Sequence, residues 1–183
     1  MSKLKVSLCA LALTMAASTA YADDAVTQGT VTFNGELIAD TCSIVSGDEN
    51  LTVTLPTLST QTLANAGDTA GSKTFDIRVE NCPTTGTGIP TQVAAHFEAI
   101  NSDGFNATTK NLTNSATTTP ASNVEVRLFD KDGTTVLPVG DTGGYFPITA
   151  GTATMTYIGA YYATAATTAG KVSARVQYTL AYK

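Results

Sequence analysis

Side chains that could carry out acid–base catalysis are sparse in this sequence of 183 residues. His96 is the single histidine, and it lies in an alternating run at residues 92–99. A serine–histidine–aspartate relay also needs a nucleophile on a glycine-bounded turn, and no such pattern occurs. Two carboxylates such as Glu98 and Asp103 could flank a glycosidic bond, but acidic side chains in polar segments are usually only hydrated. The sequence therefore predicts that this protein is not an enzyme.

The first 22 residues have the composition of a secretory signal peptide. Lys3 and Lys5 give a basic start, an apolar run follows at residues 6–17, and Ala20 and Ala22 form a small-x-small cleavage pattern. A membrane anchor is the alternative, but the apolar run is shorter than the roughly 20 residues that a spanning helix needs. We therefore expect residues 1–22, with the first cysteine, to be removed on export.

Export leaves two cysteines, Cys42 and Cys82. An even number of cysteines in an exported protein predicts a disulfide, and two free buried thiols are the alternative. With both cysteines bridged, one histidine cannot complete a zinc site of the usual type. Asp130 and Asp132 resemble the start of a calcium loop, but its later ligands are missing. No glycine-rich phosphate loop is present, so we expect neither a metal ion nor a cofactor.

The charge balance argues against nucleic acid and anionic lipid as partners. The formal net charge is −5, and loss of Lys3 and Lys5 would make it more negative. Both classes of partner require a basic patch. No second stretch is long and apolar enough to cross a membrane.

The elements that must position any functional residue are nearly all strands. Threonine and valine are abundant, and turn-forming residues punctuate the chain about every ten residues. Strands are predicted at residues 37–45, 51–55, 73–80, 92–99, 123–130, 145–148, 153–163 and 171–182. A tight hairpin turn is predicted between Phe129 and Val136, with a short strand around Leu112 and a short helix near Leu63. Many short strands and one bridge indicate an immunoglobulin-like β-sandwich.

Residues 27–38, TQGTVTFNGELI, alternate between two kinds of side chain. The even-numbered side is polar, and the odd-numbered side carries Gly29, Val31, Phe33, Gly35 and Leu37. This period of two predicts a half-buried strand. The pair Asn34-Gly35 also fits the turn of a hairpin. The residues themselves leave open whether this segment is an ordinary hairpin or a strand that another molecule buries.

The last segment of the chain alternates in the same way. After Gly170, its apolar side carries Val172, Ala174, Val176, Tyr178, Leu180 and Tyr182. A strand of this kind that bordered a gap in its sheet would offer an unpaired edge, which proteins usually cover.

Together these features resemble the pilin subunits of chaperone–usher fimbriae, among them the type 1 major subunits. The resemblance runs from the predicted cleavage site to the last residue. It is carried by the extension at residues 29–37, by Cys42 with Cys82, by the aromatic strand at residues 157–164, and by Gly170 with the alternation ending at Tyr182. Lys183 departs from the family, in which a polar uncharged residue is more usual at this position.

The resemblance implies an all-β fold: an incomplete immunoglobulin-like sandwich that lacks its last strand and is completed by a donor strand from another subunit or a chaperone. It implies that Val31, Phe33 and Leu37 fill successive pockets of a groove, with Gly35 at the pocket where the family keeps a glycine. The edge strand of the acceptor groove would comprise Gly170, Val172, Val176, Tyr178, Leu180 and Tyr182.

The implied domain plan is a signal peptide at residues 1–22, a donor-strand extension at residues 23–36 and a pilin domain at residues 37–183. The implied partners are identical or homologous pilin subunits in a head-to-tail filament, a periplasmic chaperone and an outer-membrane usher. The protein would pass through the periplasm to a fimbrium on the bacterial surface. The alternative function is that of a minor or tip subunit that binds a receptor directly.

Overall fold

The structure is a computed structural model that describes residues 29–38, 41–100 and 104–183. The predicted signal peptide, residues 23–28 of the predicted extension, and Asp103 lie outside the described residues. The chain divides into two units, Met1–Glu36 and Leu37–Lys183. In the first unit, residues 29–36 take no helix or strand.

Within the described residues, the second unit is built of short and long strands joined by turns. The strands are β1 (Ser43–Ile44), β2 (Thr69–Glu80), β3 (Gln92–Glu98), β4 (Leu112–Thr113), β5 (Val124–Phe129), β6 (Val136–Leu137), β7 (Phe146–Pro147), β8 (Ala153–Ala163) and β9 (Gln177–Tyr182). Two 3₁₀ helices precede β2, at Asp48–Asn50 and Thr60–Leu63. No helix of the described chain is long and apolar enough to cross a membrane.

The strands form two antiparallel sheets. In the larger sheet the order is β1-β2-β8-β5-β4, with β6 paired to β5, and in the smaller sheet it is β7-β3-β9. The apolar faces of the two sheets meet at Tyr157, whose ring lies 5.1 Å from that of Phe97 and 5.7 Å from that of Phe146. Its hydroxyl oxygen accepts the N–H of Ala95 at 2.9 Å, and burial raises its pKa to about 12. The predicted all-β sandwich is therefore confirmed.

Several predicted elements appear as expected. The strands predicted at residues 73–80, 92–99, 123–130 and 153–163 correspond to β2, β3, β5 and β8, and β4 begins at Leu112. The predicted hairpin joins β5 to β6, with Phe129 opposite Val136. Cys42 and Cys82 form the predicted disulfide, with an S–S distance of 2.06 Å. It lies next to the β1–β2 pairing, in which Ser43 is opposite Glu80.

Three predicted strands are shorter than expected or absent. Of the described residues of the segment 37–45, only Ser43–Ile44 form a strand; the segment at residues 171–182 is a strand only from Gln177, and residues 51–55 form no strand. The side-chain alternation predicted there is nevertheless present, because Val53, Leu55, Val172, Ala174 and Val176 are half-buried and their neighbours are exposed. A strand also needs a neighbour that is hydrogen-bonded along its length. Residues 51–55 have none among the described residues, and residues 171–176 are joined to residues 115–121 by isolated bonds such as the one from the Ser115 N–H to the Ser173 carbonyl oxygen.

The polar segment before β5 is tied to the larger sheet by a buried carboxylate. Glu125 accepts hydrogen bonds from the Asn106 side chain at 2.6 Å, the Thr109 hydroxyl at 2.7 Å and the Asn111 side chain at 2.9 Å. These neutral donors satisfy both oxygens of a carboxylate that is only 5% exposed. This polar segment is therefore anchored to the sheet at residues 106–111.

Candidate functional site

A long apolar groove of about 920 Å³ lies along one edge of the sandwich, within the second unit. One wall, which we call the N-terminal wall, is formed by residues 49–55. The other, the C-terminal wall, is formed by residues 172–178. The floor between them is contributed by strands β2, β3, β5 and β8.

The floor is apolar because strand side chains alternate between the two faces of a sheet. On β2 the floor residues are Phe75 and Ile77, on β5 they are Val126 and Leu128, and on β8 they are Gly159 and Tyr161. Register brings the last four together, since Leu128 is opposite Gly159 and Val126 is opposite Tyr161. Burial raises the pKa of Tyr161. The floor thus offers a continuous apolar surface to a ligand.

The C-terminal wall has one paired edge and one free edge. Gln92 and Lys183 exchange backbone hydrogen bonds of 3.0 Å in both directions. Hydrogen-bonded pairs alternate along an antiparallel ladder, so the odd-numbered residues of β9 face β3 and the even-numbered ones face away. Ser173 continues this pattern, with its carbonyl oxygen accepting the N–H of Ser115 at 2.7 Å. The backbone groups of the even-numbered residues from Val172 to Leu180 find no partner in the described part of the chain.

In the N-terminal wall, the residues that follow the first 3₁₀ helix form neither helix nor strand. Residues 51–58 make no hydrogen bond to any described part of the chain. Val53 and Leu55 are half-buried and line the groove, whereas Thr52 and Thr54 are exposed. Within the described residues, unpaired backbone groups therefore flank the groove on both sides, those of residues 51–55 on the N-terminal wall and those of the even-numbered residues on the C-terminal wall.

Charge and hydrogen bonding fix one end of the groove. The carboxylate of Asp48, only 2% exposed, is paired with the Arg78 guanidinium at 2.8 Å and accepts the Arg78 backbone N–H at 2.9 Å. The hydrogen bond from the Arg78 side chain lowers the pKa of Asp48, although burial opposes the shift. The Tyr178 hydroxyl donates to the Asp48 carbonyl oxygen at 2.7 Å. Burial, with Asp48 and Glu49 nearby, raises the pKa of Tyr178 and keeps this hydroxyl protonated.

This arrangement can bind one extended strand. The six residue steps from Val172 to Tyr178 span about 20 Å at roughly 3.3 Å per residue. A strand laid between the walls would pair with free backbone groups and place alternate side chains on the floor. The chemistry of the groove is thus recognition of a polypeptide by added strand pairing.

The largest apolar side chains of the residues predicted as a donor strand are exposed. Val31 is 74% exposed, Phe33 is 91% exposed and Leu37 is 100% exposed. A Cβ added at Gly29 or Gly35 would meet no atom within 4 Å. The hairpin that Asn34-Gly35 also suggested is not formed, because residues 29–38 contain no strand.

The predicted acceptor residues fall into three groups. Val172, Val176 and Tyr178 line the groove. Leu180 and Tyr182 lie further along β9 and pack against the core, with the Tyr182 hydroxyl oxygen accepting the Cys42 N–H at 3.2 Å. Gly170 is not among the lining residues. A Cβ there would lie 2.6 Å from the carbonyl carbon of Pro120, so it is a site of close backbone approach.

Two parts of the groove were missed by the sequence analysis. Residues 51–55 were predicted as an ordinary strand, and nothing in the pattern indicated that they would face a gap. Gly159 was noted only as part of an aromatic strand. The available clue was a glycine inside a β-branched and aromatic run, which often marks a close approach by a ligand or backbone.

The other candidates from the sequence lie elsewhere. His96 Nδ1 is 2.9 Å from the Thr142 hydroxyl, and its Nε2 is 3.5 Å from the Glu98 carboxylate. Asp132 accepts the backbone N–H groups of Thr134 and Thr135 at 2.8 Å, and the Thr135 hydrogen bonds lower its pKa to about 2. No group of three or more metal-ligating side chains occurs among the residues that the structure describes. Asp132 thus closes a turn, and Glu98 lies beside His96 on the same strand.

Comparison with known proteins identifies relatives along the whole chain. A family model described as fimbrial protein matches residues 31–183. The F17 fimbrial protein of Escherichia coli is 36% identical and the match covers 100% of both chains. The major fimbrial subunit SMF-1 of Stenotrophomonas maltophilia is 37% identical over 84% of this chain and 92% of its own length. The laminin-binding fimbrial subunit ElfA of E. coli O157:H7 is 31% identical over 96% of this chain and 93% of its own length.

Solved structures share the fold. A chaperone–usher pilus structure matches with a TM-score of 0.61 and 24% identity, covering 87% of this chain and 98% of that chain. The P pilus rod subunit PapA matches with a TM-score of 0.60 and 20% identity, covering 78% of this chain and 99% of that chain. The expected incomplete immunoglobulin-like sandwich is thereby confirmed.

Proposed function

This chain belongs to the fimbrial protein family, and on that premise we propose that residues 29–37 of one subunit fill the acceptor groove of the next. The chain is a structural subunit of the fimbriae that bacteria carry on their surface. What joins the subunits is the part that we infer from geometry. We call residues 29–37 the donor segment, and the groove described above the acceptor groove.

The observation that carries the proposal is the match between two unpaired features. The acceptor groove has free backbone groups on both walls and an apolar floor. The donor segment takes no helix or strand and exposes its apolar side. Its period of two suits the pleat of a strand lying between two others. The division of the chain after Glu36 supports treating residues 23–36 as an extension and residues 37–183 as the pilin domain.

The expected energy of the joint is large for one segment. Burying Val31, Phe33 and Leu37 stabilises by roughly 1.5–3 kcal/mol each, or about 5–9 kcal/mol in total as an upper estimate. Each backbone hydrogen bond adds about 0.5–1.5 kcal/mol net. Release of the segment also requires both walls to open, so the joint should be kinetically persistent.

Repetition of this joint produces a filament. The donor segment and the acceptor groove are different surfaces, so the contact is head-to-tail and does not close on itself. Each added subunit presents a new donor segment or a new groove, and growth continues. The partners of this chain are therefore identical or homologous pilin subunits.

An unfilled groove must be covered before assembly. Free strand edges beside an apolar floor are a template for aggregation. We infer that a periplasmic chaperone lends a strand to the acceptor groove, and that exchange for a donor segment takes place at an outer-membrane usher. The predicted signal peptide and the disulfide between Cys42 and Cys82 support passage through an oxidising compartment.

The test replaces the two largest apolar donor side chains with polar ones. Val31→Ser/Phe33→Ser should abolish fimbriae seen by electron microscopy and the SDS-resistant ladder of unheated surface extracts. The matched control is Thr30→Ser/Thr32→Ser, which changes the polar side of the same segment and should assemble normally. Normal fimbriae from the Val31/Phe33 variant would refute the donor role.

A second candidate function is direct receptor binding by a minor or tip subunit. The relative named as a laminin-binding fimbrial subunit favours it. The exposed ring of Phe105, 37% exposed and with the Lys110 ammonium 5.3 Å from its centroid, offers an exposed aromatic contact. Binding of purified fimbriae to immobilised laminin, lost in Phe105→Ser, would support this second role. Unchanged binding would remove Phe105 from it.

A further inference from the structure

We propose that Gly159 sets the depth of the acceptor groove at its centre, and that the recess above it receives the Phe33 ring of a second copy of this chain. This inference rests on the proposed function and adds a specificity-determining position to it. Gly159 is thus a residue whose missing side chain makes room for a ligand.

The described fold gives no internal reason for a glycine at position 159. Its φ is outside the left-handed region, and a Cβ built there meets no heavy atom within 4 Å. The other described glycines of the second unit are explained by crowding or by backbone conformation. Gly71 has a φ of +70°, and a Cβ there would lie 2.9 Å from the Tyr161 ring. A glycine inside a strand weakens the strand, so an unexplained one points to a need outside the isolated fold.

The recess above Gly159 is lined by apolar side chains. Leu128 is opposite it on β5, and Tyr161 follows two residues later on the same face of β8. Phe75 comes from β2, where it is opposite Tyr157, and its ring lies 6.4 Å from that of Phe97 across the sandwich. An aromatic ring entering here would be surrounded by aromatic and aliphatic groups, which favour edge-to-face contact.

Position along the groove selects Phe33 as the occupant. Gly159 lies between the end marked by Ile77 and Tyr178 and the end marked by Leu112 and Val172. Phe33 is the third of the five odd-numbered residues of the donor segment, and the bulkiest of them. With about 6.6 Å between alternate side chains, a centred donor segment spans the whole floor. The central recess then meets the largest side chain.

The size of the side chain at position 159 should therefore determine which donor segments the acceptor groove can bind. A valine there would place two methyl groups where the ring has to enter, and overpacking of this kind is poorly tolerated. A donor segment with a small residue at position 33 should fit the narrowed groove better than the natural one. A smaller side chain at position 33 should therefore compensate for a larger side chain at position 159.

The experiment compares four full-length chains in cells competent for fimbrial assembly: the natural chain, Phe33→Ala, Gly159→Val and the double variant. The readout is the amount of SDS-resistant polymer per disulfide-bonded subunit. We expect each single variant to form at least about tenfold less polymer, as a tenfold lower affinity between donor segment and acceptor groove would produce. The double variant should recover to within about threefold of the natural chain.

Two control variants distinguish a defect in subunit folding from a defect in assembly. Thr74→Ile adds an apolar side chain to the exposed outer face of β2 and should polymerise normally. Gly159→Ala adds one methyl group and should give an intermediate loss, which keeps the test decisive if Gly159→Val fails to accumulate. Normal polymer from both Gly159 variants would overturn the recess and leave the proposed function standing.

A double variant no better than the worse single variant would overturn the pairing of Phe33 with Gly159. If Phe33→Ala and the Val31→Ser/Phe33→Ser variant both assemble normally, the donor segment itself is refuted and this inference falls with it.

Discussion

The Tyr178 hydroxyl donates a hydrogen bond of 2.7 Å to the carbonyl oxygen of Asp48, and this bond joins the two walls of the acceptor groove. Tyr178 belongs to β9, and Asp48 opens the 3₁₀ helix that leads into the N-terminal wall. The side chain of Asp48 is held in turn by Arg78 of β2. One end of the acceptor groove is therefore fixed by hydrogen bonds within the same subunit.

Tyr178→Phe should lower the free energy of unfolding by about 0.5–1.5 kcal/mol, the usual net value of one hydrogen bond. The phenyl ring would keep its apolar contacts with the floor. Guanidinium unfolding of the assembled or chaperone-held subunit measures the change. Tyr162→Phe is the control, because its ring lies on the outer face under Arg127, 3.6 Å from the guanidinium carbon. An equal loss in both variants would contradict the role of the bond to Asp48.

Acid should weaken the same end of the acceptor groove. The pKa of Asp48 is lowered from 3.8 by the Arg78 hydrogen bond. Since the folded pKa is below the unfolded one, this contribution is complete above about pH 4 and is lost as the pH falls through the folded pKa. The measurement is the free energy of unfolding between pH 2 and pH 6.

Asp48→Asn should remove that part of the pH dependence and cost about 1–3 kcal/mol at neutral pH, because the charge-assisted hydrogen bonds to a buried carboxylate are replaced by weaker ones to an amide. Glu80→Gln, a change on the exposed side of β2, is the control. If Asp48→Asn lost as much stability at low pH as the natural chain, the acid sensitivity would have to come from other groups.

Ala174→Pro should block assembly with little effect on the subunit. The N–H of Ala174 faces the free edge and has no partner in the described residues, so proline removes nothing from the subunit fold. It does remove one hydrogen bond from an incoming strand. Ser173→Pro is the matched contrast, because the Ser173 N–H donates to the Asn114 side chain at 3.0 Å.

The two proline variants should affect different steps, one the folding of the subunit and the other its assembly. Ser173→Pro should reduce the yield of soluble subunit, whereas Ala174→Pro should give a normal yield and several-fold less polymer. Periplasmic subunit levels and the SDS-resistant ladder measure the two effects. If both variants fail in the same way, the alternation of free and paired backbone along this wall is wrong.

Gly170→Ala should destabilise the fold rather than the joint. A Cβ at this position would lie 2.6 Å from the Thr119 carbonyl oxygen and from the Pro120 carbonyl carbon. Neither is the flexible end of a side chain, so the backbone must move, at a cost of roughly 1–3 kcal/mol. Gly159→Ala is the contrast, with open space around its Cβ. Denaturation midpoints of the two variants should separate them, and a Gly170→Ala midpoint equal to the natural one would contradict the close approach.

Sequence periodicity predicted the parts of this fold whose two neighbours are both present. Strand β8 has β2 on one side and β5 on the other, and it was predicted with the same bounds, Ala153–Ala163. Here the side-chain pattern and the hydrogen-bonded ladder coincide. The disulfide followed from the count of two cysteines left after export, without any knowledge of geometry.

Periodicity was less successful where a neighbour is missing. Residues 51–55 and 172–176 have the alternation of strands and are buried on alternate sides, yet they form no ladder. A sequence pattern reports which side chains avoid water, and it carries no information about whether a partner strand exists. For the same reason Gly170 could be listed with the groove residues although it contacts the backbone at residues 119–121.

The sequence by itself determined that this chain makes an exported, disulfide-bonded β-sandwich with an alternating segment near each end, because composition, cysteine count and period are local properties. Only the tertiary structure decided that residues 49–55 and 172–178 face each other across a groove, and that Gly159 lies on its floor. The two walls are more than a hundred positions apart in the chain, and both relations depend on which strands pair, which side-chain alternation does not specify.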